Sequence, residues 1–331
     1  ILESWNGDGC IALFANQDTI SYFSKEKINL PTIDIGLSDH GIKLNRVVTD
    51  NKEVMRLAVN HIIDQGYKEI FTVSPGDNKM CVERFTYLQE FMKQKKGKVH
   101  VLKNAQHSHS NFHIQISDNI IKELEEIAKA RNLIDINQLS IAFFAYDDVM
   151  AAQMIRTLRQ YDVRIPESVA VLGVDNDELV NCALNIELSS VDCDLEGLGE
   201  KAAVELKKVL DDPKYADGKI VRHKPRKLVP RRSTDTYAVN SNIVSLALRW
   251  INENFQTGIL ASDVAEHLNI TQQGLQKAFQ DHYIRTPGQE IRHQRTIAVA
   301  NLLECTNASL DEIAKNCGYY SVDTLINGFK E

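Results

Sequence analysis

The chain has 331 residues, a length that predicts about two domains, each large enough to bury its own core. Apolar residues make up 43% and charged residues 25%, and no apolar run reaches membrane length, so the composition is that of a globular protein without a membrane partner. The formal net charge of −7 argues mildly against phosphate-rich partners, so any DNA-binding interpretation has to rest on local pattern.

The six cysteines contain no CxxC pair, which favours free thiols in a reducing compartment and predicts a cytoplasmic location. The sequence starts at Ile1 without a methionine and reaches the apolar run GDGCIALFAN almost at once. We therefore expect the first strand of the fold, or a signal peptide, to precede residue 1.

From Gly9 to about Leu210, short apolar runs alternate with amphipathic helical stretches, the order expected for a parallel α/β sheet. The predicted strands are Cys10–Phe14, Thr32–Ile35, Ile70–Val73, Ile141–Ala145 and Val169–Val174. The clearest predicted helices are Asn51–Gln65 and Asp148–Gln160.

Oxygen-bearing and mostly acidic side chains follow these apolar runs, namely Asp34, Ser74, Asp147, Asp148 and Asp175. Ligands of open parallel sheets bind beyond the carboxyl ends of the strands. Carboxylates accept hydrogen bonds from hydroxyl groups in pairs, so this edge suits a polyhydroxyl ligand such as a sugar.

A basic segment, KIVRHKPRKLVPRRSTD, follows the α/β half and carries seven Lys or Arg residues from Lys219 to Arg232. Its two prolines and its charge predict a final strand and a linker with a solvated face, although beside a DNA-binding unit it could also contact phosphate. The predicted domains are residues 1–234 and 242–331, joined by a linker over 235–241.

From Asn242 onward the pattern is entirely helical, and it contains a repeat. SDVAEHLNITQQGLQKAF and LDEIAKNCGYYSVDTLINGF share apolar and small residues at matching positions, and each predicts a short helix, a turn and a second helix. Thr271 and Ser321 are the predicted N-caps of the two second helices. The sequence therefore predicts an all-α tandem helix-turn-helix domain.

A long helix predicted to begin after Thr286 and to end near Glu304 separates the two units. Two recognition helices about 34 Å apart would enter successive major grooves on one face of DNA. The alternative is a helical bundle for dimerisation or docking.

The C-terminal part, Ser241 to Glu331, resembles the arabinose-regulator (AraC-type) DNA-binding family. The residues that carry the resemblance are Ala265, Leu275, Lys277, Phe279, Ile313, Ala314, Gly318 and Phe329. It implies DNA contacts from Gln272, Gln273, Gln276 and Lys277 in the first unit, and from Ser321, Asp323, Thr324 and Asn327 in the second. Asn327 stands where the family often has a basic residue, and the usual Gly-x-x-Pro tail is absent, so we expect weak binding by the second unit or a truncated C-terminus.

The part from Gly7 to Thr234 resembles the sugar-binding core of lactose-repressor-like regulators. The motifs are VVTDN, GYKEI, ERF, AYDDVMA, RIPESVAVLGVDN and LVPRRST, in that order. The resemblance implies sugar contacts from Asp50, Arg84, Asp147 and Asp175, although Asp147 replaces the usual asparagine. Asp148 is expected to be the N-cap of the next helix. Phe112 is a candidate for stacking on a sugar ring, or else a core residue.

Together the two resemblances imply a periplasmic-binding-protein-like sensor of two subdomains, followed by the helical DNA-binding domain. This order is similar to that of xylose-responsive activators, so D-xylose is the expected effector. A sugar would close the sensor and reposition the DNA-binding units of a homodimer on promoter half-sites, with RNA polymerase a candidate partner. The alternatives are another pentose or hexose, or a sugar receptor that does not bind DNA.

An enzyme would use Asp147 and Asp175 as paired carboxylates, as in glycoside hydrolysis. The sequence contains no nucleophile elbow, phosphate loop or HExxH motif, so no catalytic residue or cofactor is predicted. His107, His109 and His113 have spacing that could suit a metal, but AQHSHSNFH supplies no carboxylate or thiol partner. We predict a loop there and no metal.

Overall fold

The computed structural model describes residues 7–14, 21, 30–37, 41–103, 105–107, 114–235, 242–283, 285–305 and 308–330. It divides the chain into two compact units, Ile1–Asp235 and Thr236–Glu331. None of the described helices is long and apolar enough to cross a membrane.

The first unit is α/β. Its described strands are β1 (Cys10–Ala12), β2 (Thr32–Asp34), β3 (Asn45–Thr49), β4 (Glu69–Val73), β5 (Lys98–Leu102), β6 (Ala105–His107), β7 (Ile114–Ile116), β8 (Ile141–Phe144), β9 (Val169–Val174), β10 (Ser189–Asp192), β11 (Ile220–His223) and β12 (Lys227–Val229). Its described helices are α1 (Asn51–Asp64), α2 (Lys79–Gln94), α3 (Asn119–Ala130), α4 (Asp148–Gln160), α5 (Glu178–Cys182) and α6 (Leu195–Asp211).

The strands form two main sheets. One has the order β1-β2-β3-β11 and is parallel throughout, and the other has the order β12-β10-β9-β8-β4-β5, with only β12 antiparallel. Every residue of β8 and β9 is buried, which explains why both read as continuous apolar runs in the sequence. The predicted two-subdomain architecture with parallel sheets is confirmed.

The basic segment differs from its prediction as a final strand and a linker. It forms two strands, because β11 joins the first sheet beside β3 and β12 joins the second sheet as an antiparallel edge beside β10. A smaller correction concerns AQHSHSNFH, which begins with β6 of a two-stranded antiparallel sheet instead of a loop. The second strand of the basic segment pairs with the remote β10, and β6 has only three residues, so neither was recognised from its local pattern.

The chain passes three times between the two sheets, after β3, after β10 and after β11. Hydrogen bonds and ion pairs connect these crossings to one another. The backbone N–H of Asp50 donates to the carbonyl of His223 over 2.7 Å, and that of Arg226 donates to the carbonyl of Asp192 over 2.9 Å. The Asp194 carboxylate lies 2.8 Å from both His223 Nε2 and Arg226 Nη2. The crossings therefore form one polar cluster between the subdomains.

The second unit is helical, as predicted. Its described helices are α7 (Asn242–Asn254), α8 (Ala261–His267), α9 (Gln272–His282), α10 (Pro287–Cys305), α11 (Leu310–Asn316) and α12 (Val322–Lys330). The predicted caps also form: the hydroxyls of Thr271, Ser321 and Thr286 accept hydrogen bonds from the backbone N–H groups of Gly274, Thr324 and Gln289.

Two apolar clusters lie along the long helix α10. The first joins α7, α8 and α9 to the start of α10 and includes Val264, Ala265, Leu275 and Phe279, all at most 3% exposed. The second joins α11 and α12 to the later part of α10, and its buried members are Val299, Ile313, Ala314, Cys317 and Leu325. The side chain of Phe329 lies outside the described residues.

Arg295 joins the two clusters at the middle of α10. Its guanidinium donates to the carbonyls of Phe255 (2.9 Å) and Ile259 (2.8 Å), in the segment between α7 and α8, and lies 5.9 Å from the ring centre of Tyr319 in the second helix-turn-helix. Gly318 has φ +75°, and a Cβ atom there would come within 2.3 Å of the Phe255 carbonyl oxygen. The second helix-turn-helix thus packs closely against the segment between α7 and α8.

Replacing Phe279 with alanine should lower the free energy of unfolding of the helical unit by about 3–5 kcal/mol, because the change removes a fully buried ring and leaves a cavity in the core. The change can be followed in denaturant by the fluorescence of Trp250, which packs against the same cluster, in a Trp5→Phe background. The adjacent exposed residue provides the control, since Gln280→Ala should change stability by no more than about 0.5 kcal/mol. Equal effects of the two changes would contradict the assigned core.

Candidate ligand cleft and DNA interface

Arg84 of α2 is the central residue of the first candidate site. Its side chain is 1% exposed, so its charge, which no protein environment removes, has to be met by internal acceptors. Nε donates to Asn51 Oδ1 over 2.8 Å, Nη1 donates to the carbonyl of Tyr146, and Nη2 lies 3.7 Å from Asp175 Oδ1. Arg84 therefore joins the start of α1 to the carboxyl ends of β8 and β9.

Asp175 follows β9, and its side chain is 29% exposed. It has φ +108° and Asn176 has φ +56°, two left-handed values in succession that cost about 1–3 kcal/mol each in residues other than glycine. Burial raises the pKa of the Asp175 carboxyl, and the positive charge of Arg84 opposes that rise. Asp175 is thus held beside Arg84 with part of its carboxylate open to solvent.

The expectation that Asp148 caps α4 is wrong. Asp147, not Asp148, is the N-cap of α4, since its Oδ1 accepts the backbone N–H of Met150 over 2.7 Å. Asp148 is 3% exposed, and its carboxylate accepts from Ser190 Oγ and from the backbone N–H of Asp177, each over 2.7 Å. Burial raises the pKa of Asp148 to about 7.

Asp50 is the N-cap of α1 and lies at the first chain crossing. Its Oδ1 accepts the backbone N–H of Glu53 over 3.3 Å, and the side chain is half-buried. Asp50 belongs to the same region as Arg84, because the next residue, Asn51, binds Arg84. Phe112, the candidate stacking residue, lies outside the described residues.

A pocket opens at the carboxyl ends of β1, β2 and β3, against the first residues of α1 and α2. Its lining includes Leu13, Ile35, Gly36, Leu37, Val48, Thr49, Asn51, Asn78, Lys79 and Met80. Asn51 lines this pocket and also binds Arg84, so the pocket and the Arg84 network meet. The sequence analysis missed Asn51, Asn78 and Lys79, although Asn51 directly follows Asp50 in the motif VVTDN.

The second candidate site is the outer face of the two recognition helices. Gln272, Gln273 and Lys277 are exposed on α9, and Gln276 is partly exposed. Asp323, Thr324 and Asn327 are exposed on α12, with Ser321 partly exposed. The hydroxyl of Thr324 donates to the carbonyl of Ser321 over 2.7 Å, so both hydroxyls already serve the helix cap. The other predicted DNA-facing residues lie on an open polar surface.

In the part of the chain that the structure describes, no three His, Cys, Asp or Glu residues gather as a metal site. His109 and His113, and the side chain of His107, lie outside that part.

Comparison with known families assigns both units. The Periplasmic binding protein-like domain matches residues 59–234, more than half of the chain. The chain belongs to the periplasmic binding protein-like family. The Helix-turn-helix domain matches residues 264–331 of the same chain. A sensor of the periplasmic binding protein-like family thus precedes a helix-turn-helix domain.

Two curated relatives and one solved structure align with nearly the whole chain. The chain is 25% identical to the xylose operon regulatory protein of Haemophilus influenzae over 98% of its own length and 82% of the relative's. It is 24% identical to that of Escherichia coli K12 over 100% and 82%. The structure of the xylose-binding transcription activator xylR aligns over 98% of this chain and 84% of that one, with a TM-score of 0.57 and 23% identity.

A probable maltose operon transcriptional repressor from Staphylococcus aligns with 69% of this chain and 76% of its own, at a TM-score of 0.52 and 18% identity. The two structural comparisons support the periplasmic binding protein-like fold.

Replacing Arg84 with methionine should lower the free energy of unfolding by about 3–5 kcal/mol, because Asp175 loses its ion pair and buried acceptors lose their donor. Arg222→Met is the matched control: Arg222 is 36% exposed and pairs with Glu83, so its loss should cost at most about 1 kcal/mol. Denaturant unfolding followed by circular dichroism measures both. A loss no larger at Arg84 than at Arg222 would show that the buried network is not structural.

Proposed function

We propose that this chain is a DNA-binding transcription regulator whose sensor responds to D-xylose. The observation that carries the proposal is the presence, in one chain, of a periplasmic binding protein-like unit and a helix-turn-helix unit, together with the alignment of nearly the whole chain with two xylose operon regulatory proteins. Two features support the two binding activities: the open polar faces of α9 and α12, and the Arg84–Asp175 pair, which is linked through Asn51 to a pocket.

In this mechanism the sugar binds between the two subdomains. Its hydroxyls donate to Asp175 and Asp147, Asp50 contributes from the crossing after β3, and Arg84 either orients Asp175 or donates to a hydroxyl directly. The ring of Phe112 is proposed to stack on the sugar. Closure around the sugar shifts the population between open and closed sensors by the difference in affinity for the two states.

The proposed working form is a cytoplasmic homodimer that activates its promoter, with RNA polymerase as a further partner. Residues 240–331 carry more acidic than basic side chains, which limits phosphate contacts by one unit. Two chains on neighbouring half-sites bind more tightly than one, since the second contact becomes intramolecular.

A panel of D-xylose, L-arabinose, D-ribose and D-glucose tests the effector by thermal shift and calorimetry. At one common sugar concentration, D-xylose should raise the melting temperature most, because the sugar with the lowest Kd stabilises the folded state most. At a hundred times its Kd, a ligand contributes about 2.7 kcal/mol. Asp175→Ala should weaken this binding about tenfold or more, as one charged acceptor is lost. If another sugar binds more tightly, or if none binds, the assignment to xylose is wrong.

Lys277→Ala tests the recognition face of α9. The variant should bind DNA from upstream of its own gene cluster more weakly and should reduce the slope of log K against log salt by about 0.9, the loss of one phosphate contact. Lys315→Ala is the control, because Lys315 is equally exposed but lies on α11. Equal slopes for Lys277→Ala and the unmodified protein would remove Lys277 from the DNA interface.

A further inference from the structure

The turn after β9 is held by hydrogen bonds to all three of its backbone N–H groups. Asp175 N–H donates to the carbonyl of Val191 over 2.9 Å, and Asn176 N–H donates to Ser190 Oγ over 3.0 Å. Asp177 N–H donates to Asp148 Oδ2 over 2.7 Å. Two of the three acceptors are side chains outside the turn, so the left-handed conformation at residues 175 and 176 depends on them.

Ser190 and Asp148 act as a pair. The hydroxyl of Ser190 donates to Asp148 Oδ1 over 2.7 Å while its oxygen accepts from Asn176, so both oxygens of Asp148 are engaged with Ser190 or with the turn. Both residues are at most 3% exposed. Because neither reaches solvent, this carboxylate is unsuited to contacting a ligand and is free to serve the turn.

Gly173 provides the space for this carboxylate. A Cβ atom at position 173 would lie 2.1 Å from Asp148 Oδ1, closer than any real contact allows. The absence of a side chain in the middle of a fully buried strand is therefore explained by the Asp148 carboxylate beside it.

We infer that Asp148 and Ser190 are positioning residues that hold the strained turn in the conformation in which Asp175 faces Arg84 and the ligand. This inference rests on the proposed sugar-binding function. Asp148 and Ser190 would thus control how tightly Asp175 binds the sugar without contacting the sugar themselves. The consequence is a dependence of sugar affinity on the ionisation of Asp148.

The charged and titratable groups that face Asp148 come from every element around it. They are Asp147 on its own helix, Asp175 and Asp177 in the turn, Cys193 after β10, and Arg84 from α2 acting through Asp175. Burial raises the pKa of Asp148 to about 7, and its hydrogen bonds from Ser190 and Asp177 oppose the rise. Protonation near neutral pH weakens the acceptor on which Asp177 N–H depends.

The raised pKa gives affinity and stability opposite responses to pH. The folded state favours neutral Asp148 more than the unfolded state does, so this residue's contribution to folding stability is present below the unfolded pKa near 4 and is lost as pH rises through about 7. Sugar affinity changes in the other direction, because the ionised form holds the turn. A residue with only a structural role would not separate these two responses.

The test compares Asp148→Asn and Ser190→Ala with Ser189→Ala in the full chain. Ser189 is equally buried, but its hydroxyl contacts Arg231 and Thr234 instead of the turn. Calorimetry with D-xylose from pH 6 to 8 should show about tenfold weaker binding for Asp148→Asn and Ser190→Ala and unchanged binding for Ser189→Ala. The affinity of Asp148→Asn should also vary less with pH than that of the unmodified protein.

Amide hydrogen exchange without sugar provides a readout that does not depend on the proposed function. Exchange at residues 175–177 should be faster in Asp148→Asn and Ser190→Ala but not in Ser189→Ala. Unchanged exchange in the first two variants, or an equal effect of all three, would overturn the inference whether or not xylose binds. Failure of the unmodified protein to bind any sugar, with the expected exchange pattern intact, would reject only the proposed effector.

Discussion

A buried guanidinium is the constraint on which the sensor depends. Arg84 remains charged at any ordinary pH, and inside the protein the cost of removing it from water is offset only if its donors find acceptors with good geometry. The acceptors come from the start of α1, the end of β8 and the turn after β9. One side chain thus joins the ends of two strands to two helices, and Asp175, the aspartate that we propose contacts the sugar, is held by it.

Different kinds of interaction stabilise the interiors of the two units. In the sensor, apolar strands are fully buried and the polar interactions concentrate at their ends and at the three chain crossings. In the helical unit two apolar clusters share α10, a helix of 19 residues and so about 28 Å long. Polar contacts of this helix are made by Arg295, which donates to two backbone carbonyls of the segment between α7 and α8, and by Glu290, which binds Tyr283 and Arg285. Polar contacts therefore gather at the strand ends and crossings in the first unit and link α10 to its neighbouring segments in the second.

Local patterns in the sequence were sufficient to predict most of the fold, because apolar runs and helical periodicity can be recognised without knowing which elements pair or pack together. β9 and α4 have the predicted bounds, whereas β12, a short edge strand between prolines, was mistaken for a linker because its pairing with β10 is not local. Capping rules found that an aspartate precedes α4 but could not choose between adjacent ones. That choice depends on Ser190 and Asp177, which are 42 and 29 residues away from Asp148.

The separation of buried and exposed faces on α9 has a consequence for how such a regulator can change over evolution. Leu275 and Phe279 are fully buried, whereas Gln272, Gln273 and Lys277 bear no part of the packing. At the proposed DNA interface, substitutions on the outer face therefore alter the chemistry offered to base edges with little change in folding stability, whereas those on the inner face destabilise the fold and are removed by selection. Preference for a new operator is thus accessible through single, structurally neutral steps.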